Sequence, residues 1–225
     1  MIPFIIAAAA AAAACTAAYQ YFSKDEEPKK PEHKSLGTFV LWGRPNAGKT
    51  TFIARLRGES PDLKGKIATT SRTVYSDVQL TAIKGKSLKI DKIVDMPGTD
   101  DRLNDWLEMV VTGANIFYMV DLSRVNSKDY AMLVKKDLLA TVDALNKSEK
   151  KKRINIICSH IDVSEWANLI HSPDFGNIIQ EKEGIRVIYE SLHKEGVAGY
   201  FYFANLNDKR SFDVLIEGIA NDLYD

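Results

Sequence analysis

Residues 38–58 read TFVLWGRPNAGKTTFIARLRG, and the fold follows from this stretch. Thr38 to Trp42 is a short apolar run suited to a buried strand. Gly43 to Thr50 then fits G-x-x-x-x-G-K-T, and helix-forming residues follow from Thr51. A strand, a glycine-bearing turn and a helix start, in that order, aim backbone N–H groups and a helix's positive end at one point. That arrangement holds phosphate. Asn46, Ala47, Gly48, Lys49, Thr50 and Thr51 are the expected phosphate contacts. Lys49 is expected to reach the terminal phosphates, and the Thr50 hydroxyl to ligate Mg²⁺.

Further along, VYSDVQLTAI and SLKIDKIVD flank Lys84-Gly85-Lys86-Ser87 and predict a hairpin over 74–94. Its second strand runs into Asp95-Met96-Pro97-Gly98. An aspartate at the carboxyl end of an apolar strand, in a chain with a phosphate loop, is placed to hold a Mg²⁺ water. The Gly98 N–H is then placed to meet a third phosphate. Asn115 to Asp121 and Arg153 to Cys158 predict two more buried strands, the second ending in Ser159-His160-Ile161-Asp162. A last strand over 199–203 precedes Ala204-Asn205-Leu206.

The order of these segments resembles the small P-loop GTPases of the translation-factor class, with Ras, Arf and Era among them. The resemblance covers residues 36–225. It implies that Asp162 accepts two hydrogen bonds from guanine, and that adenine would leave its carboxylate unpaired. Ser159 and His160 stand where the pattern has Asn or Thr and then Lys; an imidazole would lie over the base by stacking. The Ala204 N–H would meet the base carbonyl, with Asn205 beside it. A switch threonine would come from ESPDLKGKIATTSRT. Thr70 is the expected Mg²⁺ ligand there, with Thr69 and Thr73 as rivals.

Ras- and Arf-like proteins place a glutamine after D-x-x-G to orient the attacking water. Here that position is Thr99, followed by Asp100 and Asp101. Thr99 is too short for the task, so slow GTP-to-GDP turnover is expected. Gly43-x-Pro45-Asn46-x-Gly48-Lys49 also resembles the loop of Era-like GTPases, some of which use the asparagine to seat K⁺. Asn46 matches it; the rival reading is that Asn46 only shapes the loop. Thr99 and Asn46 are thus the candidate catalytic positions.

Composition sets bounds on the rest. Lys+Arg and Asp+Glu both number 30, so no charge excess points to nucleic acid. Two cysteines, Cys15 and Cys158, form neither a disulfide framework nor a metal motif. Met1 to Phe22 carries no charged side chain and, as a helix of about 33 Å, would match a bilayer core. Lys24, Lys29, Lys30 and Lys34 follow it, which places the rest of the chain on the cytoplasmic side. Residues 1–22 are read as a single-pass anchor; a cleaved leader, acylation at Cys15 and an alanine-rich soluble helix are the competing readings. Residues 23–36 read as a polar linker.

The expectation is one three-layer α/β domain over 37–225, with a mostly parallel six-stranded sheet and helices on both faces. Helices are expected over 49–57, 101–112, 126–148, 177–194 and 209–223. An anchor followed by a lone G domain resembles the layout of the signal-recognition-particle receptor β subunit. The expected ligands are GTP or GDP with Mg²⁺, and the expected partners are the membrane and an effector or activating protein. A pseudo-GTPase scaffold and an ATP-using P-loop enzyme are the alternatives.

Overall fold

The computed structural model describes residues 34–60, 71–83, 86–112, 115–147, 153–169, 172 and 175–224. The expected anchor at 1–22, nearly all of the linker, Thr69, Thr70 and the Lys84-Gly85 turn lie outside them. Among the described residues, seven strands form one sheet: β1 (Lys34–Ser35), β2 (Thr38–Gly43), β3 (Thr73–Ile83), β4 (Lys86–Asp95), β5 (Asn115–Asp121), β6 (Arg153–Ser159) and β7 (Ala198–Phe203). Every pairing is parallel except the β3–β4 hairpin, which forms one edge.

β1 and β2 pair with the same side of β4 in the same register, Lys34 opposite Leu88 and Thr38 opposite Lys92. They are one strand interrupted at Leu36-Gly37. Gly37 takes φ +73, which a side chain would disfavour, and Asp91 donates its N–H to the Gly37 carbonyl at 3.0 Å. The linker expected to run to residue 36 therefore gives way to sheet at Lys34, and Leu36 is buried. With β1 counted into β2, the sheet has the six strands expected, in the order β3, β4, β2, β5, β6, β7.

Alternate residues of the central strands go to opposite faces, as a pleated strand buried on both sides requires. Val40, Trp42, Tyr118 and Ile156 pack under α2 (Leu103–Val111), α3 (Lys128–Lys147) and α5 (Glu183–Lys194). Phe39, Leu41, Phe117 and Ile157 pack under α1 (Lys49–Leu56) and α6 (Lys209–Tyr224). Phe212, Leu215, Ile216 and Ile219 of α6 are buried as their spacing predicts, while Leu223 is partly covered.

The helix expected over 177–194 is instead two, α4 (Phe175–Gln180) and α5, parted by a turn in which Lys182 is extended. The break lets the first turn of α5 close on the β5–α3 loop. A Cβ at Gly184 would lie 2.7 Å from the Val125 carbonyl.

Candidate functional site

β2 hands over to α1 through Gly43–Gly48, and the loop's shape rests on three positive-φ residues, Gly43 at φ 143, Asn46 at φ 67 and Gly48 at φ 87. Asn tolerates the left-handed region better than most side chains, so the loop alone accounts for its presence. Inside the loop, Lys49 is 6% exposed. Its Nζ donates to the Gly43 carbonyl at 2.6 Å and the Arg44 carbonyl at 3.2 Å. Burial pushes the ammonium down to about 8, with Asp95 pulling the other way. Asp95 is itself buried at the end of β4. Thr50 follows Lys49 in the first turn of α1, and Asp95 acts on Lys49 through its charge; a hydroxyl and a carboxylate are hard oxygen donors that suit Mg²⁺, which takes one or two protein ligands beside phosphate oxygens.

The Asp95–Gly98 segment lies directly on the loop. A Cβ at Gly98 would fall 2.1 Å from the Gly43 carbonyl oxygen and 2.8 Å from the Arg44 carbonyl carbon, so only glycine fits. Trp42 fixes the segment's approach: its Nε1 donates to the Pro97 carbonyl at 2.9 Å, and its ring stacks on Trp106 at 5.2 Å. Thr99 is exposed and begins a short 3₁₀ turn, Asp100–Arg102. Asn46 and Thr99, the two catalytic candidates, line one cleft of about 370 Å³ with Pro45, Gly98 and Asp100.

Sequence reading passed over Arg44. It is 6% exposed within the loop, donates to Asp100 at 2.5 Å, and donates to Asp137 of α3, which has no exposure at all. Tyr118 of β5 donates its hydroxyl to the same Asp137 at 2.7 Å. Burial pushes the Asp137 carboxyl up, opposed by the Tyr118 and Arg44 hydrogen bonds; Arg44 in turn holds Asp100 below the usual carboxylate range. Burial works against the guanidinium, but the bonds to Asp100 and Asp137 leave it held above its ordinary value. A polar residue in the middle of the apolar face of α3 was the available signal.

At the other end of the loop, Ser159 is fully buried, and its hydroxyl lies 2.9 Å from the Ala47 carbonyl and 2.9 Å from His160 Nδ1. The Val120 carbonyl lies 3.2 Å from the same hydroxyl, so Ser159 links His160 and β5 to the phosphate loop. His160 is left-handed at φ 57 and also comes within 3.6 Å of Asp121 Oδ1. Asp162 follows in a 3₁₀ turn with its side chain exposed. Ala204, expected to meet the base carbonyl, is fully buried, and its N–H extends the β6–β7 ladder to the Cys158 carbonyl at 3.1 Å. The Asn205 N–H is likewise given to Ser211 Oγ at 2.9 Å. Arg55 of α1 holds this loop through the Leu206 carbonyl at 3.1 Å and the Asn207 carbonyl. Thr51 is half-buried on α1.

The family described as 50S ribosome-binding GTPase matches residues 38–168, more than half of the chain. No curated protein matches. Among solved structures the fold resembles the Arl6 BBS3 small GTPase from Trypanosoma brucei with bound nucleotide analogue GppNp: 14% identity, 85% of this chain, 98% of that one, TM-score 0.57. It also resembles the signal recognition particle receptor SRb-GTP/SRX complex from Chaetomium thermophilum, at 15% identity over 77% of this chain and 92% of that one, TM-score 0.53. At these identities the likeness is one of fold.

Lys49 yields a pH prediction. Without ligand its ammonium is charged only below about 8. Phosphates would favour the charged form, so binding above that pH takes up a proton and affinity falls as pH rises. GDP titrations at pH 7, 8 and 9 should show little change over the first unit and up to about a tenfold loss over the second. A flat profile would show that burial does not bring the Lys49 ammonium down into this range.

Proposed function

The chain belongs to the 50S ribosome-binding GTPase family, and from that premise we propose that it is a membrane-anchored GTP switch with slow intrinsic hydrolysis. The observation that carries the proposal is a dry lysine inside the phosphate loop, with Asp95 beside it and the Ser159-His160 segment bonded to the loop's back. One end of that assembly reads phosphate and the other reads a base. Lys49 and the loop N–H groups would hold the phosphates, while Thr50, Asp95 and Thr70, with Thr69 and Thr73 as its rivals, would hold Mg²⁺. When bound, Mg²⁺ supplies charge neutralisation on the terminal phosphates.

Base choice rests on Asp162, whose exposed carboxylate stands beyond His160. The unmodified protein should be stabilised against heat by GDP and GTP but not by ATP. Asp162→Asn should lose guanine nucleotide affinity by at least about tenfold and gain xanthine nucleotide affinity, because an acceptor becomes a donor. Equal stabilisation by ATP and GTP would reject the base assignment.

Slow turnover is supported by what lies at the cleft. Thr99 lacks glutamine's reach, and Arg44 is held between two carboxylates, so its charge is already matched. The expected rate in sodium is about 10⁻³ s⁻¹ or lower. If Asn46 seats K⁺, exchanging sodium for potassium raises that rate about tenfold, and Asn46→Ala abolishes the increase. Equal rates in the two salts would leave Asn46 as the loop's left-handed residue and favour an activating protein partner. Thr99 also favours a second reading, a nucleotide-loaded scaffold without turnover, for which the rate is nil in both salts.

Anchoring rests on the uncharged run from Met1 to Phe22 and the lysines after it. Among the described residues no helix is long and apolar enough to cross a membrane. The solved relative named as an SRb-GTP/SRX complex has a protein partner, which supports one here as effector. The full chain should pellet with membranes and resist carbonate extraction; its recovery in the soluble fraction would overturn the anchor.

A further inference from the structure

We propose that Arg44 is a positioning residue for the segment after Asp95: through Asp100 it keeps Pro97–Arg102 on the phosphate loop, and so sets the preference for triphosphate over diphosphate. The inference rests on the GTP-binding reading above. Arg44 has two unequal partners. Asp137 is fully buried on α3 and is also held by the Tyr118 hydroxyl, so that end of the guanidinium is fixed. Asp100 has a side chain 59% exposed and sits at the start of a 3₁₀ turn, so it is the end that can let go.

The backbone between is strung from two fixings. Trp42 Nε1 grips the Pro97 carbonyl, and Arg44 grips Asp100 three residues on. Gly98 lies between them, packed so closely on Gly43 and Arg44 that no side chain fits. In the GTP-binding reading the Gly98 N–H meets the third phosphate, which GDP lacks. Releasing Asp100 therefore loosens a segment that only a triphosphate reaches. A half-exposed ion pair is a weak tie, so the effect should be about two- to fivefold in affinity.

The test uses the full chain in detergent with Mg²⁺, titrated with GDP and with a non-hydrolysable GTP analogue. Asp100→Ala should weaken the analogue about two- to fivefold and leave GDP affinity and the melting temperature unchanged. Asp100→Glu, which keeps the charge, should restore the ratio. Asp137→Asn should instead lower the melting temperature and weaken both ligands, because it leaves Arg44 under-paired in the interior. An unchanged analogue-to-GDP ratio in Asp100→Ala overturns the proposal, as does an equal loss of both ligands or a failure of Asp100→Glu to rescue. If the unmodified protein binds neither nucleotide, the GTP-binding reading itself falls and takes this inference with it.

Discussion

Lys49 has to be both dry and charged. An ammonium removed from water is costly unless hydrogen bonds and opposite charge replace the solvent. Here the replacement is two loop carbonyls, Gly43 and Arg44, with Asp95 beside them. Carbonyls can converge on Nζ only if the chain between Gly43 and Lys49 turns tightly, and Asn46 and Gly48 supply that turn with positive φ. Asp95 is brought in by the register of β4 against β2, Leu41 opposite Asp95. The loop, the central sheet pairing and the approach of the Asp95–Gly98 segment are thus parts of one solution to one buried charge.

A second buried charge braces the first. Arg44 follows Gly43, so any movement of its guanidinium drags the loop that holds Lys49. The guanidinium is bolted through Asp137 to α3 and through Tyr118 to β5. Trp106 of α2 donates to Thr141 one turn further along α3 at 2.8 Å and stacks on Trp42. Two helices and the loop's parent strand are therefore connected by directional contacts as well as by apolar packing. Such contacts specify one arrangement, because a half-satisfied polar network in the interior costs more than an apolar one. An apolar interface could slide; this one cannot without leaving a carboxylate or a guanidinium unmet.

The Ser159-His160 end of the loop uses a different device. Ser159 stands where the resemblance has Asn or Thr, and its shorter side chain still reaches the Ala47 carbonyl because β6 brings it fully under the loop. His160 then takes over part of the tie, its Nδ1 within hydrogen-bonding distance of the Ser159 hydroxyl and with Asp121 nearby. The substitution is therefore paired: a shorter residue at one position and a hydrogen-bonding ring at the next keep the Ser159-His160 segment attached to the phosphate loop.

What the sequence by itself determined is what depends on residues adjacent along the chain. The phosphate loop, the Asp95–Gly98 segment, the buried strands and the apolar stripe of α6 are each set by spacing within a dozen residues, where sterics and periodicity act directly. The tertiary structure decided whatever depends on partners far apart in sequence. Nothing near Arg44 announces Asp137, 93 residues away, as its counter-charge. Ser159 gains its role from an Ala47 carbonyl 112 residues earlier. The Ala204 N–H finds its partner, the Cys158 carbonyl, only through the β6–β7 register. The break between α4 and α5 and the extension of the sheet back to Lys34 belong to the same class. Burial is a property of the assembled fold, and the cost of an unmet buried polar group is what selects these distant partners.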